Sequence, residues 1–197
     1  MKWWVFAIAW AACMSVDTGL MPAFAWGRHV PQLWPVLLAF VCLHGSRDAG
    51  FWAAVAVGAW LDATHPAVSA GAEGPVAVLV FGPNVLACTA GAWGVLELRG
   101  VLYRRNVFTV AVSAAACAVL WSLSFIAIAG IRAAYADPWP LWGPGPGAAA
   151  VGNDILTSMY SAVLGMPVAW ALHATIPAWD FATLGSRFGN PGWQGRA

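Results

Sequence analysis

The chain has 197 residues, of which 61% are hydrophobic and only 9% charged, and its net charge is +1. Soluble domains carry roughly 25% charged residues, so these few cannot cover a water-facing globule of this size. Lipid is therefore the expected solvent for much of the surface, in keeping with a mean hydropathy of +0.71. The near-neutral charge excludes a basic footprint for nucleic acid.

In hydrocarbon every backbone polar group must be paired internally, so long apolar runs read as helices. The first run spans Trp3 to Leu20, after Lys2 and with Asp17 near its end. The second, Leu33 to Leu43, and the third, Ala49 to Leu61, fall short of the ~20 residues that cross a bilayer. They are expected as two short spans, with burial inside the bundle or a re-entrant hairpin as alternatives. The fourth runs from Pro75 to Leu96, interrupted at Gly82-Pro83-Asn84. The fifth, Val107 to Ile131, contains no charge, and the sixth, Ile155 to Ile176, contains Pro167. Residues 137–147 hold four prolines and three glycines. Proline removes donors and glycine adds backbone entropy, so an external loop is expected there. The tail, residues 180–197, is expected to be mobile and cytoplasmic.

The expected fold is thus all-α: one integral membrane domain over residues 1–197, a polytopic bundle of about six transmembrane helices. The loops test that number. A cytoplasmic start places Lys2, Arg47, Arg99, Arg104, Arg105, Arg187 and Arg196 inside, and leaves Arg28 and Arg132 outside. This satisfies the positive-inside rule with both termini cytoplasmic. Tryptophan prefers the membrane–water interface, and Trp3, Trp4, Trp26, Trp34, Trp139, Trp142, Trp179 and Trp193 all stand near ends of apolar runs. Lys2, the first run and Ala23-Phe24-Ala25 also resemble a secretory signal with its cleavage site. An uncleaved anchor is the expectation, because Trp3 and Trp4 suit an interface.

Ionisable groups within a membrane are costly and often functional. Asp17, Asp62 and Asp154 lie in or beside apolar runs, all toward the external side of this topology. They are candidates for one outward-facing pocket; the competing reading is that each caps a helix or sits among headgroups. Asp154, at the start of the sixth run, suits a helix N-terminus. Asn84, after Pro83, is a candidate donor to a neighbouring helix, with a structural kink as the plainer reading. Arg99, Arg104 and Arg105 form the largest cytoplasmic basic cluster, either a topology signal or a docking surface. Cys13, Cys42, Cys88 and Cys117 stand singly in apolar runs and read as small buried hydrophobes. His29, His44, His65 and His173 lack metal-ligand spacing. No nucleophile elbow or phosphate loop occurs, so neither an enzyme nor a cofactor is expected.

Residues 31–106 carry a series of short motifs. Pro31-Gln32-Leu33 opens the second run, and the turn 44–50, His-Gly-Ser-Arg-Asp-Ala-Gly, follows it. The most distinctive piece is the Gly-x-x-x-Asp ending of the third run, Gly58-Ala59-Trp60-Leu61-Asp62. The basic turn from Arg99 to Arg105 closes the series. Together they resemble the bacterial rod shape-determining MreD family, which has a Pro-Asp-Leu type of helix start where Pro31-Gln32-Leu33 lacks the acidic member. The resemblance implies a non-enzymatic scaffold of cell elongation in the bacterial inner membrane. Its implied partners are an MreC-like bitopic protein and, through it, the MreB filament and the peptidoglycan glycosyltransferase and transpeptidase. The implied fold is similar to the substrate-binding subunits of vitamin transporters. A transporter subunit for a vitamin or metal ion, using Asp17, Asp62 and Asn84 as contacts, is therefore the second reading.

Overall fold

The computed structural model describes residues 1–64, 67–71, 74–78, 80–102, 106–133 and 148–181. His65, Arg104, Arg105, Arg187, Arg196, the 137–147 loop and the tail beyond 181 lie outside the described residues. Among the described residues the regular structure is helical apart from one two-stranded hairpin. Helix α1 spans Trp3–Gly19, and a 3-10 turn follows at Met21–Phe24. Helices α2 (Trp34–His44) and α3 (Arg47–Thr64) come next. Strands β1 (Ala67–Gly71) and β2 (Gly74–Val78) then precede α4 (Pro83–Leu98) and α5 (Val107–Ala133). The chain continues through α6 (Ala148–Leu164), α7 (Met166–Ala174) and the short α8 (Ile176–Trp179).

Helix α2 is the axis of the bundle. It packs on α1, α3, α4, α5 and α7, and every residue from Trp34 to Leu43 is buried. Ten consecutive apolar residues, Trp34 to Leu43, suit an element that other helices surround. Helix α3 extends the expected run by two residues at its start and three at its end and reaches 18 residues, or about 27 Å at 1.5 Å per residue.

The fourth run is the clearest departure from expectation. Its first part is not helix: β2 pairs antiparallel with β1 from Ala67↔Val78 to Gly71↔Gly74. Residues 74–80, Gly-Pro-Val-Ala-Val-Leu-Val, alternate β-branched valines, which suit an extended strand. The helix begins only at Pro83, where a missing N–H costs nothing. Gly82 makes the turn between strand and helix with φ +124°, a conformation closed to side chains with a Cβ.

The sixth run is bent. Residues Gly152–Leu164 and Met166–Ala174 meet at 46°, with Pro167 in the first turn after the break, where its ring cannot continue α6. Because α6 starts at Ala148, Asp154 lies within the helix and not at its N-terminus as expected.

Apolar side chains cover the outside as well as filling the core. Trp4, Ile8, Trp52, Leu86, Trp93, Met159 and Trp170 are all more than half exposed, scattered over five helices. Helix α5 is long and apolar enough on its own to cross a membrane, and the bent α6–α7 pair passes the same test jointly.

Two expected interfacial tryptophans belong to the core. Trp34 is 2% and Trp179 0% exposed. Buried indoles need a partner for N–H, and both find one nearby: Trp34 donates to Gln32 Oε1 and Trp179 to Thr175 Oγ1, each at 2.9 Å. Trp3, Trp4 and Trp26 are exposed, whereas Trp139, Trp142 and Trp193 lie outside the described residues.

Candidate functional site

Gly58, Asp62 and Asn84 come together at one joint between α3 and α4. The first four N–H groups of a helix have no partner within it, and at α4 no side chain of its own N-cap supplies one. Asp62 reaches across from the end of α3. Its Oδ2 accepts the Gly82 N–H at 2.7 Å and the Val85 N–H at 3.4 Å. Its Oδ1 accepts the main-chain N–H of Asn84 and the side-chain Nδ2, both at 3.0 Å. Asn84 Oδ1 in turn accepts the Trp121 indole N–H from α5 at 3.2 Å. Three helices are thereby linked by one chain of polar contacts inside an apolar bundle. The carboxylate is 2% exposed; such burial is tolerable because its oxygens are occupied and the positive end of α4 faces it.

Gly58 sits one turn before Asp62 on the same face of α3. A Cβ built there would lie 2.5 Å from Val85 Cα and 2.7 Å from Asn84 O. The glycine lets the backbones approach closely enough for Asp62 to reach the amides.

A second joint repeats the device. Asp17, near the end of α1, accepts the Leu33 N–H at 2.7 Å through Oδ1. Leu33 is the N-cap of α2 and offers no capping side chain. Thus each of two successive hairpins ends its first helix with an aspartate that caps the next. The loop before α2 also docks on α6: His29 Nδ1 lies 2.7 Å from Thr157 Oγ1, and Ser161 Oγ accepts the Gln32 N–H at 3.0 Å.

Asp17 lines a cavity of about 650 Å³ between α1, the 30–34 segment and the end of α3, and neither Asp62 nor Asp154 is in its lining. Asp62 and Asn84 use their polar atoms on each other, on α4 and on Trp121 of α5. Asp154, half-buried in α6, belongs to neither joint.

Three basic residues lie at the opposite end of the bundle. Arg47 pairs with Glu97 at 3.3 Å, and Arg99 Nη1 donates to Gly45 O at 3.1 Å. The Lys2 N–H donates to Trp179 O at 3.0 Å, and Trp179 stacks on Phe181, whose ring lies 6.0 Å from that of His44. Lys2, Arg47 and Arg99 therefore share one end of the bundle, away from Asp17 and Asp62. Sequence reading did not foresee this aromatic cluster, which also joins Phe40 to His173; its parts are over a hundred residues apart and no local pattern marks them.

Among the described residues no group of three or more His, Cys, Asp or Glu side chains could hold a metal ion. All four cysteines are free and buried. No family model matches the chain, and no curated protein or solved structure matches it either.

Proposed function

We propose that this protein is a six-span membrane scaffold of the bacterial cell-elongation machinery, resembling MreD and holding an MreC-like bitopic partner. The observation that carries the reading is the Gly58–Asp62 ending of α3. This is the most distinctive motif of the resemblance, and in this chain both of its residues serve one purpose, the docking of α4. The spans are α1, α2, α3, α4, α5 and the bent α6–α7 pair. Exposed apolar residues on five helices support lipid as the surrounding solvent. The gathering of Lys2, Arg47 and Arg99 at one end supports a cytoplasmic face there, with both termini on it. The role is non-enzymatic: the buried acids act as helix caps, and the exposed apolar faces of α1 and α3 are left for a partner helix.

The experiment is co-purification from mild detergent with the MreC-like protein of the same cell, alongside deletion of the gene. The scaffold reading expects a stable pair and rounded cells. Loss of the pair together with normal rods would reject it.

The cavity beside Asp17 favours one second reading, a substrate-binding subunit of a vitamin or metal-ion transporter. Thermal-shift screening distinguishes it, because a ligand that binds only the folded state raises apparent stability.

A further inference from the structure

The cavity between α1 and α3 has a composition that selects a ligand. Its volume, about 650 Å³, is in the range of small-molecule sites, roughly 300–1,000 Å³. It exists because α1 leans on α2 and α8 rather than packing along α3. Trp10 on α1, Trp34 on α2 and Trp60 on α3 line it, together with Met14 and Gln32; Trp34 is only 2% exposed, so Trp10 and Trp60 supply its open aromatic surface. Trp34 is held in place by its N–H bond to Gln32 and by edge contact with Trp121 at 5.3 Å.

The one ionisable group in the lining is Asp17. Its Oδ1 accepts the Leu33 N–H at 2.7 Å, which holds the side chain at the start of α2 beside the cavity. No lysine or arginine lines the cavity. A carboxylate offers about four acceptor sites, so capping α2 leaves capacity for a ligand. An anion would be repelled by this acid. An uncharged apolar molecule would strip water from it and return nothing. A metal ion would find a single carboxylate among indoles. Indole faces and a carboxylate both attract one kind of group, a cation with little hydration of its own.

We propose that this cavity binds an organic ammonium cation borne on an apolar body, with the charge against Asp17 and the body between Trp10 and Trp60. The site shares its cavity with the transporter reading and rests on it only that far: binding to purified protein is read separately from uptake by cells. Binding is read on the protein alone, whereas co-purification tests the scaffold reading, so failure of one is distinguishable from failure of the other.

The test uses the full chain in lipid nanodiscs and isothermal titration with benzyltrimethylammonium. The control ligand is neopentylbenzene, which has the same shape without the charge. One saturable site for the cation is expected, with no saturable binding of the neutral compound. Asp17→Asn keeps an oxygen for the Leu33 N–H and should weaken cation binding about tenfold or more, while Trp60→Leu, which leaves the cap untouched, should weaken it about three- to tenfold. Absence of saturable cation binding, equal binding of the uncharged isostere, or unchanged affinity in both variants would overturn the proposal. Should Asp17→Asn fail to fold, Trp60→Leu and the isostere decide.

Discussion

Asp62 and Asn84 make two hydrogen bonds through one carboxylate oxygen: Oδ1 accepts both the main-chain N–H and the side-chain Nδ2 of Asn84, each at 3.0 Å. The acid belongs to α3 and the amide to the first turn of α4, so the pair fixes the angle at which the two helices leave their connection. At the far end of the same helix pair Arg47 meets Glu97. Helices α3 and α4 are thus antiparallel neighbours pinned at both ends. The two pins differ in weight, because the Arg47–Glu97 side chains are 64% and 49% exposed whereas Asp62 is buried.

Replacing Asp62 should therefore be the costliest single polar change. Asp62→Ala strands three amide N–H groups and the Asn84 side chain, a loss of about 2–4 kcal/mol given the usual worth of charged hydrogen bonds and helix caps. Asp62→Asn retains one acceptor and should lose about half as much. Arg47→Ala should cost no more than about 1 kcal/mol, as exposed ion pairs do. Unfolding of detergent-solubilised protein by graded denaturant measures all three. Equal effects of Asp62→Ala and Arg47→Ala would contradict the assignment.

Gly58 and Gly152 provide a matched comparison. A Cβ at Gly58 would collide with the backbone of Val85, and backbone cannot swing aside as a flexible side chain can. Gly58→Ala should destabilise by about 1–3 kcal/mol, the usual range for overpacking. Gly152, in α6, has nothing within 4 Å of the same position. Gly152→Ala should leave stability unchanged or raise it by about 0.5–1 kcal/mol, since alanine is the better helix former. The same unfolding measurement separates them.

Trp121 closes the polar chain from α5. Trp121→Phe keeps most of the ring but removes the N–H that serves Asn84 Oδ1. The expected loss is about 1 kcal/mol, the net value of one hydrogen bond. In an Asp62→Ala background the same change should cost measurably less, because the Asn84 side chain is by then unmoored; a double-mutant cycle reads the difference. Strict additivity would show that the three helices are not coupled through Asn84.

Much of this architecture is legible in the residues. The apolar runs locate α1, α2, α3 and α5 to within a few positions, and Gly58-x-x-x-Asp62 marks the α3–α4 joint before any contact is known. Asp17 and Asp62 are conspicuous because acids are rare in such runs, and helix capping was among the readings open to them. Which helix each would cap was not legible, because an acceptor's partner lies across a connection whose path no local pattern gives, the 20–33 segment for Asp17 and the turn at Gly82 for Asp62. The 74–80 segment misleads for a physical reason: valines are apolar enough to extend a helical run, yet their branched Cβ favours an extended chain. Trp34 and Trp179 mislead too, since an indole at a run end can turn inward when a local acceptor takes its N–H. The cavity had no local signature at all. It is assembled from three separated segments.

In the proposed function the bundle lies in lipid with its basic end in the cytoplasm. The four native cysteines are buried and should stay silent toward a membrane-impermeant maleimide. Two neutral, exposed positions then report the two ends: Ala25, beside the Asp17 joint, and Gly100, beside Arg99. In intact spheroplasts Ala25→Cys should label at once, and Gly100→Cys only after the membrane is permeabilised. Labelling of Gly100→Cys from outside, or equal labelling of both from protein that was never in a membrane, would contradict it.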